Sequence, residues 1–214
     1  MPKRTATKPV IQTQLDSVTK VEAKFEPKKE LKPKTQKTNT SSGYTLIISE
    51  KPNAARRIAE ALGDKIEEHK EDSVYYYEIE NNKEKIIVAS AVGHLFTLSD
   101  RGKGWVYPAF DVDWMPSYNL QQSSFTKRYF DVLKNLAKNA TSFVNGCDLD
   151  REGELIFKNI LKFICEKEDA KRMKFSTLTK PDLVEAYKNM APHIDFGLAE
   201  AGESRHFLDY LKHQ

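Results

Sequence analysis

Cysteine is scarce in this sequence. Its 214 residues include only Cys147 and Cys165, which stand too far apart for a CxxC motif. Disulfide-rich secreted domains and cysteine-based metal sites both need more cysteines than these two. The sequence therefore offers no zinc site. We expect two buried, reduced thiols in a cytosolic protein.

Long apolar runs are also missing. None approaches the roughly 18–20 residues that a membrane-spanning helix needs. The amino-terminal MPKRTATKPV lacks the apolar core of a secretory signal peptide. A phosphate-binding loop of the form G-x-x-x-x-G-K-[ST] is absent, so no nucleotide hydrolysis is implied. We therefore expect a protein without a membrane partner.

Net positive charge is confined to one end of the chain. Residues 1–43 carry ten Lys and Arg against four Asp and Glu, whereas residues 44–214 carry 24 against 27. The first segment is rich in Lys, Thr and Pro and shows no sustained apolar period, which predicts a disordered basic extension. Such an arm suits a polyanion such as DNA. A solubilising tail with no partner explains its composition equally well.

From Tyr44 the pattern predicts an α/β fold. The apolar stretch YTLIIS (44–49) leads into an amphipathic segment that Pro52 opens and Gly63 ends. Further strands are predicted at 74–80, 85–93 and in TSFVNGC, an ordered loop at 101–118, and helices at 125–139 and 153–165. Alternating strands and helices favour a mostly parallel sheet with helices on its faces.

Acidic residues follow two of these strands. Glu50 comes after the first, and the stretch DLDREGE places Asp148, Asp150 and Glu152 after another. Parallel strands present their carboxyl ends at one edge, so these four carboxylates are expected to converge there. Mg²⁺ prefers such oxygen ligands. The alternative is that Asp150 and Glu152 only cap the following helix and interact favourably with its dipole.

Several motifs in order resemble the type IA DNA topoisomerases. They are LIISEKPNAARRIAEAL, ASAVGHLFTL, DLDREGELI, KRMKFSTLTKPDLVEAY and GLAEAGESRHFLDYL. The resemblance runs from Tyr44 to about Leu211 and implies a Rossmann-like Toprim domain at 44–170. Residues 171–214 then begin the next domain as a short, incomplete helical element, and residues 1–43 lie outside the resemblance.

The resemblance also implies roles for particular residues. Glu50 matches the family's general acid/base, and Lys51 matches a lysine that contacts the scissile phosphate. The Mg²⁺ ligands correspond to Asp148, Asp150 and Glu152. His94 matches a histidine near the DNA path, although a hydrogen-bonded, partly buried histidine is an equally good interpretation. Arg151 either balances the acidic cluster and lies near DNA, or is a solvated or structural ion-pair member.

The family's nucleophile is a tyrosine in a later domain, and no tyrosine here matches its context. We therefore expect the chain to be inactive alone. Tyrosine-bearing domains in cis or trans would complete the enzyme, which acts on a single-stranded segment of DNA. The resemblance implies a cytoplasmic protein in a prokaryote and a nuclear one in a eukaryote. The alternative is a stand-alone Toprim protein, either nuclease-like or a non-catalytic nucleic-acid-binding module.

Overall fold

The computed structural model describes residues 43–100 and 111–212. Disorder is predicted for residues 1–43, and residues 1–42 of that segment lie outside the described ranges. Residues 101–110, the first ten of the predicted loop at 101–118, also lie outside them. The strands are β1 (Tyr44–Ser49), β2 (Ile66–Glu71), β3 (Val74–Asn81), β4 (Glu84–Ser90), β5 (Phe96–Asp100), β6 (Val112–Pro116), β7 (Ala140–Asn145) and β8 (Lys171–Arg172). The helices are α1 (Pro52–Leu62), α2 (Thr126–Ala137), α3 (Arg151–Phe163), α4 (Lys180–Lys188) and α5 (Phe196–Lys212).

Six strands form the central sheet, in the order β2-β3-β4-β1-β7-β8. Neighbours from β4 to β8 run parallel, whereas β2 and β3 extend the sheet with antiparallel pairs. Strand β1 is central, and Leu46, Ile47 and Ile48 are completely buried because both of its faces are covered. The predicted α/β fold, with a mixed and mostly parallel sheet between helices, is confirmed.

Alternate residues of β1 belong to the two opposite layers. Leu46 and Ile48 lie in a cluster with side chains from α2 and α3, while Ile47 lies in a cluster with side chains from α1 and α4. This division follows from the period of two along a strand. Each fully buried aliphatic side chain contributes about 1.5–3 kcal/mol, so the layers hold the strand ends in fixed positions.

Some local predictions were wrong. The strand predicted at 85–93 ends at Ser90, because Val92 and Gly93 adopt positive φ angles of 60° and 86°. Within the predicted loop at 101–118, residues 112–116 form β6, which pairs with β5 in a separate two-stranded sheet. The exposed strand β2 was not predicted, since IEEHKE shows no apolar alternation. The helix predicted at 153–165 begins two residues earlier.

The last forty residues pack against the same sheet and helices. Strand β8 pairs with β7, helix α4 lies against α1, and α5 lies against α3. The predicted domain limits at 43 and 170 stay predictions. None of the described helices is both long and apolar enough to span a membrane. Cys147 is buried and Cys165 partly buried, both as free thiols, and burial raises the pKa of Cys165 to about 12.

Candidate functional site

Glu50, Lys51 and Asp148 meet at the carboxyl edge of the sheet. Glu50 and Lys51 directly follow β1, and Asp148 lies shortly after the neighbouring parallel strand β7. The Lys51 ammonium lies 2.9 Å from Asp148 Oδ2 and 3.3 Å from Glu50 Oε1. The hydrogen bond to Asp148, and then that to Glu50, raises the pKa of Lys51. One cation thus bridges carboxylates that lie almost a hundred residues apart in sequence.

The backbone of the β1–α1 connection fixes this arrangement. Ser49 and Glu50 accept hydrogen bonds through their carbonyl oxygens from the N–H groups of Ala91 and Gly93, at 2.9 and 3.1 Å. The loop after β4 therefore runs beside Glu50. Gly93 has a φ angle of 86°, a conformation that favours glycine. His94 follows directly, so this turn brings the histidine to the same edge.

Asp150 caps helix α3. Its Oδ1 accepts a hydrogen bond of 2.8 Å from the N–H of Gly153, and the cap uses only that one carboxylate oxygen. A Cβ on Gly153 would lie 2.3 Å from the carbonyl oxygen of Asp148, so the tight turn excludes any side chain there. The capping alternative from the sequence is therefore observed for Asp150, but the cap does not prevent a second contact through Oδ2.

Glu152 points to a different set of partners. Its Oε2 lies 3.0 Å from Nε2 of His94 and 2.9 Å from Nε2 of His206, which is on α5. Its other oxygen, Oε1, lies 3.6 Å from the guanidinium of Arg205. The structure therefore brings His94 to Glu152 and does not group Glu152 with Asp148 and Asp150. Arg151 is exposed in the first turn of α3.

The contacts among the two histidines and Glu152 shift the pKa values of His94 and Glu152. Burial, and then the neighbouring His206, lowers the pKa of His94, although its contact with Glu152 opposes this effect. Partial burial raises the pKa of Glu152, but hydrogen bonds from His206 and His94 outweigh it and bring the pKa below its ordinary value. Glu152 is therefore an ionised acceptor between two rings at neutral pH.

A buried ion pair beneath the edge was missed in the sequence. Arg172 and Glu154 are both fully buried and form a salt bridge. The same guanidinium donates hydrogen bonds to the carbonyl oxygens of Cys147 and Asp148, at 2.8 and 2.9 Å. Asn145 donates to the second oxygen of Glu154 at 2.9 Å. This network fixes the backbone from which the Asp148 side chain extends.

Little in the sequence could have revealed this pair. Glu154 lies in the acidic stretch but is not one of the predicted Mg²⁺ ligands, and Arg172 lies close to two exposed lysines in KRMKF. Their pairing depends on β8 lying beside β7, which is a long-range contact. A charged pair this deeply buried needs every hydrogen bond satisfied, and the backbone carbonyls of the site loop supply that.

The ligand chemistry of the edge fits a hard divalent cation. Glu50 and Asp148 offer only oxygen atoms, as Mg²⁺ prefers. Their shared contact with the Lys51 ammonium shows that this position between the two carboxylates favours positive charge. Asp150 lies two residues beyond Asp148, at the start of α3. Glu152 offers a carboxylate as well, but its contacts give it a mixed environment of oxygen and nitrogen atoms.

Comparisons with known proteins find one matching family model and several related sequences. The family model of the Toprim domain matches residues 45–178. DNA topoisomerase 1 of Methanocaldococcus jannaschii is 48% identical over 167 residues, which cover 77% of this chain and 22% of that protein. DNA topoisomerase 1 of Pyrococcus horikoshii is 46% identical over 169 residues, covering 77% and 25%.

A solved structure has a similar fold. Full-length topoisomerase I from Thermotoga maritima superposes with a TM-score of 0.52 at 25% sequence identity, over 77% of this chain and 24% of that one. The chain spans about a quarter of the length of the proteins that it matches. The likeness therefore concerns only one part of each of these longer relatives.

Proposed function

The chain belongs to the Toprim family, and from this premise we propose that it is the Mg²⁺-dependent portion of a type IA DNA topoisomerase. Such an enzyme cleaves and rejoins one DNA strand through a tyrosyl-phosphate intermediate and needs no ATP. The names of the relatives, which are DNA topoisomerases, support the assignment. The substrate would be DNA with a single-stranded segment at the cleavage site, in the nucleoid of the cytoplasm of a prokaryote or in the nucleus of a eukaryote.

The convergence of Glu50, Lys51 and Asp148 is the observation that carries this proposal. Strand cleavage leaves a sugar oxygen that must take up a proton, and Glu50 is the proposed donor. Its side chain is only 15% exposed, so water reaches this carboxylate only in part. Lys51 is the proposed contact to the scissile phosphate, because its ammonium already lies between the carboxylates that flank the site.

Asp148, Asp150 and Glu152 are the residues proposed to hold the ion, with Glu50 beside them. Bound Mg²⁺ would neutralise charge on the phosphate in transfer. For Glu152 to take part, its carboxylate must turn from His94 and His206 towards the aspartates. His94 and Arg151 are proposed to lie near the DNA, at the rim of the edge.

The attacking tyrosine is proposed to come from further domains, in cis or trans. Tyr75, Tyr76 and Tyr77 lie on β3, and the hydroxyl of Tyr210 accepts a hydrogen bond from the backbone N–H of Asp100. None of these four tyrosines belongs to the group around Glu50, Lys51 and Asp148. The cluster supplies acid–base and electrostatic assistance but no hydroxyl for attack in line with the phosphate.

A relaxation assay tests the proposal. The chain alone should leave negatively supercoiled plasmid unchanged. Adding the remaining domains, for example those of the Methanocaldococcus jannaschii relative, should give Mg²⁺-dependent and ATP-independent relaxation on a gel. In that mixture Glu50→Ala should reduce the rate by about 10²–10⁴-fold, the range expected when acid–base assistance is lost.

The matched control is Glu67→Ala, which removes an exposed carboxylate of β2. It should relax plasmid at the rate of the unchanged chain. Full activity of Glu50→Ala would remove Glu50 from the mechanism. Relaxation by the chain alone would reveal an overlooked nucleophile, and metal-dependent nicking without any complementing domain would favour the stand-alone, nuclease-like alternative.

A further inference from the structure

Glu152 brings together two histidines that are far from it in sequence. His94 comes from the loop after β4, Glu152 from the first turn of α3, and His206 from α5. Their ligand atoms all lie within 4.8 Å of one another, and the two imidazole rings are 4.7 Å apart. Within residues 43–100 and 111–212, this is the one such group of three His, Cys, Asp or Glu side chains.

We propose that His94, Glu152 and His206 form a binding site for a divalent transition-metal ion such as Zn²⁺ or Co²⁺. Two imidazole nitrogens and one carboxylate oxygen are a ligand set that these ions accept, whereas Mg²⁺ prefers oxygen alone. Three protein ligands leave one position of a tetrahedral ion open to water. The site is thus chemically distinct from the oxygen ligands of Glu50 and Asp148.

Distances within the group suit such an ion after small rotations. Ligand atoms around a tetrahedral Zn²⁺ lie about 3.3 Å apart, given metal–ligand bonds of about 2.0–2.1 Å. The two Nε2 atoms now lie 3.0 and 2.9 Å from Glu152 Oε2. Each Nε2–Oε2 distance therefore has to lengthen by only a few tenths of an ångström, and the ligand atoms of the two imidazole rings lie within 4.8 Å of one another. The three side chains are about one-third exposed, so an ion and its water can enter.

Helix α5 holds His206 in place before any ion binds. Glu203, one turn earlier, accepts hydrogen bonds from Trp114 Nε1 at 3.1 Å and from Lys158 at 2.8 Å. At Gly202 the helix approaches α3 so closely that a Cβ would lie 2.6 Å from the carbonyl oxygen of Arg151. The first turn of α3 therefore packs in close contact with this turn of α5, and this contact places Glu152 beside His206.

His94 is anchored independently. Its carbonyl oxygen accepts a hydrogen bond of 3.1 Å from the hydroxyl of Ser117. A positive charge also lies beside the group, on Arg205, whose guanidinium is 3.6 Å from the other oxygen of Glu152, Oε1. That side chain is 55% exposed, so solvent weakens its repulsion of an incoming cation. On the opposite side, Oε2 holds both Nε2 atoms at hydrogen-bond distance, and a bound ion would replace the ring protons in those contacts.

A consequence of the site rests on the proposed function. Glu152 is also a proposed Mg²⁺ ligand, and it cannot serve both positions with the same orientation of its carboxylate. Transition-metal binding should therefore withdraw Glu152 from Asp148 and Asp150. In the complemented relaxation assay, micromolar Zn²⁺ should then inhibit at fixed Mg²⁺, and His206→Ala should relieve the inhibition.

Cobalt titration of the tag-free 214-residue chain tests the site without reference to activity. We expect the intense visible absorption of four-coordinate Co²⁺ to appear and to saturate at one equivalent. His206→Ala should weaken binding by at least the 10–100-fold that loss of a supporting residue costs. His193→Ala is the matched control, because His193 also contacts a carboxylate, that of Asp169, and should leave the titration unchanged.

Two further variants keep the test decisive. If circular dichroism shows that His206→Ala is unfolded, Glu152→Gln and His94→Ala should give the same loss. Asp148→Asn should keep cobalt binding, which separates this site from failure of the proposed Mg²⁺ function. A cobalt spectrum that is absent in the unchanged chain, or that survives all three ligand substitutions, would overturn the proposal.

Discussion

The two halves of the sheet edge are built in different ways. Glu50, Lys51 and Asp148 come from the ends of two adjacent parallel strands, and only oxygen atoms and one ammonium meet there. On the other side, His94, Glu152 and His206 come from a loop and two helices, and nitrogen atoms predominate. Strand order alone places the first group. The second depends on how α5 packs against α3.

This difference explains how the acidic stretch DLDREGE is used. Its four carboxylates look alike in sequence, but each has a different partner in the structure. Asp148 pairs with Lys51, Asp150 caps α3, Glu152 contacts histidines and Glu154 pairs with a buried arginine. Charge density in a sequence therefore does not indicate a single site. The side-chain direction at each position separates the functions.

Removing the buried arginine should have the largest effect. Arg172→Met leaves the carboxylate of Glu154 buried without its partner, which should cost about 3–5 kcal/mol of unfolding free energy. Urea denaturation followed by circular dichroism measures this loss. The geometry around Glu50, Lys51 and Asp148 should change most, because Arg172 donates hydrogen bonds to the carbonyl oxygens of Cys147 and Asp148.

A double variant provides the control. Glu154→Leu combined with Arg172→Met removes both charges, and stability should largely return, since apolar replacement of a buried pair is often neutral. If Mg²⁺ binds at the proposed site, it should raise the melting temperature of the unchanged chain. This rise should be smaller in both the single and the double variant, because the carbonyl oxygens of Cys147 and Asp148 lack their donor in each. A single variant that loses less than about 1 kcal/mol would mean that the ion pair is structurally unimportant.

Substitutions at Asp150 distinguish helix capping from metal binding. Their effect on stability should be intermediate in size. Asn caps a helix about as well as Asp, whereas Ala loses about 0.5–2 kcal/mol. Asp150→Asn should therefore unfold like the unchanged chain and Asp150→Ala should be less stable. Both should lose the Mg²⁺-dependent melting shift if the carboxylate is a ligand. A normal shift in Asp150→Asn would leave Asp150 as a cap alone.

The smallest effect on stability is expected at the contact between His193 and Asp169, which lies outside both groups of the sheet edge. Partial burial raises the pKa of Asp169, but His193 and two backbone N–H groups outweigh it, so the pKa lies below its ordinary value. A depressed pKa stabilises the fold above the unfolded value, near pH 4, and the contribution disappears as the pH falls through the folded pKa. Asp169→Asn should cost less than about 1 kcal/mol at neutral pH.

Chemical denaturation at several pH values checks this prediction. The difference between Asp169→Asn and the unchanged chain should be constant near neutral pH and should shrink in acid. A difference that grows in acid would contradict the assigned pKa direction. The variant should also keep cobalt binding, since a single histidine–carboxylate pair lacks the third ligand that His206 provides at Glu152.

The sequence predicted those parts of the molecule that depend on local pattern. Strand β1, helix α1 and the order of the acidic residues follow from apolar spacing and from the residues that begin and end the helix. Parallel strands then bring Glu50 to Asp148. Strand β2 was not predicted, because it is an exposed edge strand whose sequence lacks apolar alternation. It is held in the sheet by its pairing with β3.

The remainder of the site depends on distant contacts that no local pattern specifies. His206 approaches Glu152 only because Gly202 allows α5 to lie against α3. Arg172 reaches Glu154 only because β8 joins the sheet. His94 was considered for a place near DNA, and its two-histidine surroundings were not foreseen. Such juxtapositions are properties of the tertiary packing.

Crystallography in the presence of both Mn²⁺ and Zn²⁺ tests most directly whether the sheet edge holds two different metal sites. Mn²⁺ accepts carboxylate and water ligands as Mg²⁺ does and scatters anomalously. We expect a peak beside Glu50 and Asp148, with the Lys51 ammonium displaced from between them, and a separate Zn²⁺ peak among His94, Glu152 and His206. An edge without Mn²⁺ beside Asp148, or both ions at the same position, would contradict the assignment of a hard-metal site to the ends of β1 and β7.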